Sequence, residues 1–121
     1  MRRFLAATTV VLVTLTFATA CGDSDTPSDS GSSDPKVIKV VITGDSVTPN
    51  GERVDVAVGQ DVQLDVKADE AGEIHVHSSP EQEIEYKAGE STVTIQGIDQ
   101  PGTVDVESHA LEKVIVQLEV R

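Results

Sequence analysis

From Val37 to the C-terminus, apolar residues return at every second position. Val54, Val56 and Val58 are separated by Asp55 and Ala57, Val62, Leu64 and Val66 by Gln63 and Asp65, Ile74 and Val76 by His75, and Val104 and Val106 by Asp105. Val114, Val116, Leu118 and Val120 alternate with Ile115, Gln117 and Glu119. Successive side chains of an extended chain point to opposite faces, so this period describes strands with one face in a core and the other in water. A helix needs apolar residues three and four apart, and no segment supplies them together with caps. Turn-forming residues fall between the runs, at Pro49-Asn50-Gly51, Gly59-Gln60, Ala71-Gly72, Ser78-Ser79-Pro80, Ala88-Gly89 and Gln100-Pro101-Gly102. The pattern predicts about eight strands, over 37–43, 52–58, 61–67, 73–77, 82–87, 91–96, 103–108 and 113–120. Strands so spaced predict an all-β sandwich or barrel. The run Val37 to Thr43 is apolar on both faces and is expected to be the most buried strand. The aromatic residues are Phe4, Phe17 and Tyr86, and both Phe precede the alternating region. The core must therefore be built from Val, Ile and Leu, which suit a pleated surface.

The N-terminus has a different grammar. Met1-Arg2-Arg3 is followed by an uncharged, largely apolar stretch from Phe4 to Ala20, and small residues lead into Cys21-Gly22. This is the layout of a secretory signal peptide over residues 1–20. Small residues directly before a Cys resemble the bacterial lipobox, although Ala18 stands where Leu is commonest. That resemblance implies a thioether-linked diacylglycerol on Cys21 and cleavage before it. Two other readings compete: an uncleaved anchor, since about 17 apolar residues reach the lower limit for spanning, and cleavage after Ala20 that releases a soluble protein. The polar run starting at once after Cys21 favours the lipoprotein, with acyl chains holding it on the membrane at about 0.8 kcal/mol per buried methylene.

Residues 21–36 then read as the lipidated Cys and an acidic Ser/Asp tether. The segment Gly22 to Asp34 has no large apolar residue and cannot offset its chain entropy by burial, so it is expected to be a disordered spacer. Its mean span is roughly 20 Å. Asp23, Asp25 and Asp29 do not make a calcium loop, because Ser28 stands where an EF-hand needs Gly and Asp34 where it needs Glu. The folded domain occupies residues 37–121.

The formal net charge is −12, and outside Arg2 and Arg3 only seven basic residues face 21 acidic ones. Such a surface repels phosphate backbones and anionic headgroups, which excludes nucleic acid as a partner and leaves cations as plausible ligands. The single Cys allows no intramolecular disulfide. No catalytic constellation is present: the domain lacks a Cys nucleophile, Ser78-Ser79 has no nucleophile-elbow setting, the carboxylates alternate outward, and there is no Walker loop or dinucleotide fingerprint. The chain is read as a non-enzyme.

Three blocks together resemble the cupredoxin-like β-sandwich, in particular the small EfeO-type cupredoxin-like domains of secreted bacterial proteins. They are Val58-Gly59-Gln60-Asp61-Val62, Asp69-Glu70-Ala71-Gly72-Glu73-Ile74-His75-Val76-His77 and Pro101-Gly102-Thr103-Val104-Asp105-Val106-Glu107-Ser108-His109. The resemblance implies a Greek-key sandwich of seven or eight strands over residues 37–121. It does not carry blue copper with it. Electron-transfer cupredoxins bind copper with two His, a Cys thiolate and usually Met, and here the only Cys and Met are Cys21 and Met1.

His75 and His77 stand two apart, so a strand points both to one face, opposite Ile74 and Val76. Two imidazoles on one face can share a metal ion. The cupredoxin topology implies that His109, at the end of a later strand, lies near them. His75, His77 and His109 are thus the candidate ligands for Cu(II) or Zn(II), with Glu73, Glu107 or Glu112 as an added carboxylate. Two functions follow: a lipoprotein on the extracytoplasmic face of the cell membrane that holds a transition metal through surface histidines, or a metal-free module that docks an envelope protein. Polar surface alone and joint titration of neighbouring His are the plainer accounts of the same residues.

Overall fold

The computed structural model describes residues 34–121. The expected signal peptide over 1–20, Cys21 and the expected tether up to residue 33 lie outside the described residues. The described chain forms nine strands: β1 (Lys36–Thr43), β2 (Ser46–Thr48), β3 (Glu52–Val56), β4 (Val62–Ala68), β5 (Gly72–Val76), β6 (Gln82–Tyr86), β7 (Gly89–Ile95), β8 (Gly102–Ser108) and β9 (Lys113–Val120). Each of the eight strands expected from the alternation is present, with ends shifted by at most two residues. The additional one, β2, is three residues long and buries only Val47, too short a run to show a period.

The strands make two mixed sheets, one in the order β2-β1-β4-β7 and one in the order β3-β9-β8-β5-β6. The β1–β4 and β3–β9 pairs are parallel and the others antiparallel. The chain changes sheet between β2 and β3, β3 and β4, β4 and β5, β6 and β7, and β7 and β8. This is the all-β Greek-key sandwich that the sequence implies. Register aligns the apolar rows: Ile38 faces Leu64 and Val40 faces Val66 in one sheet, and Ile74 faces Ile84, Val76 faces Val106 and Val104 faces Leu118 in the other. These rows meet between the sheets as one aliphatic core, whose only aromatic member among the described residues is Tyr86.

Three local expectations are corrected. β1 is not the most buried strand: Ile38, Val40 and Ile42 face inward, but Val37 and Val41 are 50% and 42% exposed. The outer face of the four-stranded sheet is open to water, so only one face of β1 can be covered. Val58 does not continue β3, because a turn has begun there: the Ala57 N–H donates to the Gln60 side chain at 3.0 Å, and the Gln60 N–H donates to the Ala57 carbonyl at 3.0 Å. Ile115 was expected to face out with Gln117 and Glu119, yet it is buried beside Val116. A bulge explains this, since Val106 pairs with Val116 and Glu107 with Val114, leaving Ile115 as the extra residue that resets the alternation.

Candidate metal centre

Strand parity brings the site together on the outer face of the five-stranded sheet. In β5, Ile74 and Val76 fill the core, so Glu73, His75 and then His77 point outward. In β8, Val104, Val106 and Ser108 face inward, and the alternation continues past the strand end to put His109 outward. The backbone fixes that last step: the His109 N–H donates to the Glu73 carbonyl at 3.0 Å. His109 therefore sits opposite Glu73, diagonal to His75, where side chains of neighbouring strands meet.

Glu73, His75 and His109 each offer one ligand atom within 4.8 Å of the other two. The His75 and His109 rings lie 4.4 Å apart, centroid to centroid, tilted by 32°. His75 Nε2 stands 2.6 Å from Glu73 Oε1. A carboxylate can only accept, so this nitrogen carries the proton and donates it. Ligand atoms 2.0–2.2 Å from one tetrahedral ion stand roughly 3.4 Å apart. The Glu73–His75 pair is about 0.8 Å tighter than that and no pair is wider than 4.8 Å, so the side chains must rotate to admit an ion between them.

The surroundings suit a cation. His75 pairs across the ladder with Glu83 on β6 and Glu107 on β8, and Glu73 pairs with Glu85. Glu83 Oε1 lies 3.8 Å from His75 Nε2. The His75 side chain is 19% exposed, so these charges act across a partly desolvated space.

The sequence candidates separate accordingly. His75 and His109 come together, with Glu73 as their carboxylate. His77 stands apart, its ring 6.3 Å from that of His75. Its Nε2 lies 3.0 Å from Glu107 Oε2 and its Nδ1 3.6 Å from Glu81 Oε1, so its two nitrogens face different carboxylates. Glu112 lies in the turn before β9, at a positive φ of 50°, and is not in the group. Glu83 was not singled out from sequence. The hairpin register could have found it, because a turn centred on Ser79 sets residue 75 opposite 83.

Beside the site runs a shallow groove lined by Gly72, Glu73, Glu85, Tyr86, Lys87 and His109. Tyr86 pairs with Gly72 across the β5–β6 ladder, and its ring lies over that glycine. Burial pushes the phenol above its ordinary value of 10.0, and the charge of Asp69 adds to this. The Ser108 hydroxyl offsets part of the shift, though it falls short of good hydrogen-bond geometry.

The donor set is two imidazoles and a carboxylate. It does not fit a blue-copper centre, which needs a thiolate, because Cys21 and Met1 hold the only sulfur atoms of the chain. It fits Zn(II) or Cu(II), for which imidazole and carboxylate are common ligands.

No protein-family model matches the chain, and no curated protein matches it. Solved structures do. A methionine-to-alanine variant of amicyanin with Cu(I) superimposes with a TM-score of 0.52 at 14% identity, covering 70% of this chain and 82% of that one. A proline-to-glycine variant of amicyanin in its reduced Cu(I) form gives 0.50 at 13% identity, covering 73% and 85%. A multi-copper oxidase from Pediococcus acidilactici gives 0.51 at 19% identity, covering 78% of this chain and 28% of the oxidase. Likeness at these identities speaks for architecture: the described residues are a cupredoxin-like β-sandwich.

Proposed function

We propose that this chain is a bacterial lipoprotein, anchored through Cys21 on the extracytoplasmic face of the cell membrane, whose sandwich binds Cu(II) or Zn(II) for buffering or delivery and catalyses no reaction. The observation that carries the metal reading is the convergence of Glu73, His75 and His109 within 4.8 Å. The hydrogen bond between His75 and Glu73 holds two ligands together before the ion arrives, and an ion at Nε2 would take the place of the proton there while the neutral ring carries its proton on Nδ1. The anchor reading rests on the charged start, apolar stretch and small residues that lead into Cys21. The narrower EfeO-type kinship rests on the three sequence blocks at 58–62, 69–77 and 101–109.

Calorimetry on the full chain in detergent, with CuCl₂ and ZnCl₂, tests the metal half. One ion should bind at micromolar or tighter affinity, and excess EDTA should remove it. His75→Ala and His109→Ala should abolish binding, while His77→Ala should leave it within a few fold. Absence of heat, or binding indifferent to His75 and His109, leaves the metal-free interaction module as the function. Mass spectrometry of the mature protein tests the anchor, and an unacylated Cys21 overturns it.

A further inference from the structure

We infer that Glu83 is the fourth protein ligand, closing the Glu73–His75–His109 group into a four-coordinate N₂O₂ site. This rests on the metal reading above and deepens it. His75 Nε2 has two carboxylates in reach: Glu73 Oε1 at 2.6 Å, from the same strand, and Glu83 Oε1 at 3.8 Å, from the neighbouring strand. An ion bound to that nitrogen replaces its proton about 2 Å out from the ring. A carboxylate 3.8 Å from the nitrogen is then within a small rotation of the ion.

The other acids near His75 are less available. Glu107 also pairs with His75 across the ladder, but its Oε2 is held by His77 Nε2 at 3.0 Å. Glu81 faces the other nitrogen of the same ring. His77 thus engages Glu107 without joining the site. Glu85 lies opposite Glu73 and contacts neither histidine among the described ion pairs. The Glu83 side chain is 65% exposed, and its one ion-pair contact among the described residues is His75. It can swing inward without breaking another bond.

Two carboxylates and two neutral imidazoles balance the charge of a dication. Four protein ligands also leave no position for substrate, which is the mark of sites that hold a metal rather than use one. The group that meets these terms best is a tetrahedral divalent ion, Zn(II) before Cu(II).

The test uses the full chain in detergent with CoCl₂ as a spectroscopic probe and ZnCl₂ for affinity. Tetrahedral Co(II) absorbs intensely in the visible, while five- and six-coordinate Co(II) absorbs weakly. The wild-type chain should give the intense spectrum. Glu83→Gln should lose it and weaken Zn(II) binding by about 10- to 100-fold or more, the range that even an outer-shell partner commands. Glu81→Gln removes the same charge from the same strand-turn region but touches only His77, so it should change neither reading. Circular dichroism should be unaltered in both variants, since both side chains are largely exposed. An intense spectrum and unchanged affinity in Glu83→Gln overturn the fourth ligand and leave the three-ligand site standing. A wild-type chain that takes up neither Co(II) nor Zn(II) overturns both.

Discussion

Gly72 is the residue whose replacement tests most sharply how the site is supported. A methyl group at this position would lie 2.7 Å from Tyr86 Cζ and 3.2 Å from Cε1, and would overlap the phenol oxygen. Ordinary carbon contacts are about 3.5–4.0 Å, so the ring must retreat by roughly 1 Å. It is 5% exposed and has little room to do so. Overpacking of this kind costs about 1–3 kcal/mol, and each kcal/mol lowers the melting midpoint by roughly 4–8 °C in a domain of this size. The backbone is not the obstacle, because Gly72 does not adopt a positive φ. In a Tyr86→Val background the clash is gone, and Gly72→Ala should stabilise by about 0.4–1 kcal/mol through a less flexible unfolded chain. The sign of the substitution therefore reverses with its partner. Urea denaturation of the four proteins of the cycle measures this, read at the midpoint with the slope unchanged. Equal cost of Gly72→Ala in both backgrounds would refute the argument.

Three further outcomes are expected. Leu64→Ala, at the fully buried centre of β4 between Ile38 and Val93, should cost about 2–5 kcal/mol, while Val41→Thr on the open face should stay within about 0.5 kcal/mol by the same denaturation assay. Tyr86 is the only tyrosine and the chain has no Trp, so tyrosinate absorbance reports it alone. It should titrate above 10.0 in the folded protein; its stabilising contribution is complete below the unfolded value of 10.0 and is lost as pH rises through the folded value, so alkaline destabilisation should shrink in Tyr86→Phe. Zn(II) at about 100 times its dissociation constant should add roughly 2.7 kcal/mol of stability, seen as a raised melting midpoint that is absent in His109→Ala.

The strands were legible because each carries a full run of alternation, as β4 does with Val62, Leu64 and Val66. What escaped were the places where alternation is too short or is interrupted. β2 offers only Val47, and the bulge at Ile115 depends on how β8 meets β9. At the site, parity alone placed His75 and His77 on one face, but one face is not one ligand sphere. Spacing along the strand does not decide it: Glu73 and His77 are each two positions from His75, yet Glu73 lies 2.6 Å from its Nε2 while the His77 ring stands 6.3 Å away. His109 reaches His75 through a hydrogen-bonded strand that no local pattern names, Glu83 through a hairpin register that the turn at Ser79 does set, and His77 turns instead to Glu107 and Glu81.

The fold and the donor atoms then point in different directions, and the donor atoms decide. Thiolate and thioether ligands are what select Cu(I) and let a cupredoxin copper change oxidation state with little rearrangement. Imidazole and carboxylate ligands favour divalent ions instead, so on the proposed reading the sandwich would hold its metal rigidly and not pass electrons. The acidic outer face acts in the same sense: Glu73, Glu83, Glu85, Asp105 and Glu107 concentrate cations at the sheet and oppose the approach of acidic proteins. His77 sets the limit on this arrangement. Its Nε2 lies 3.0 Å from Glu107, so in the proposed site an ion would be left with the carboxylates that can reach His75 Nε2. Replacing His77 frees Glu107, which pairs with His75 across the ladder, so His77→Ala should hold the metal at least as tightly as the wild type.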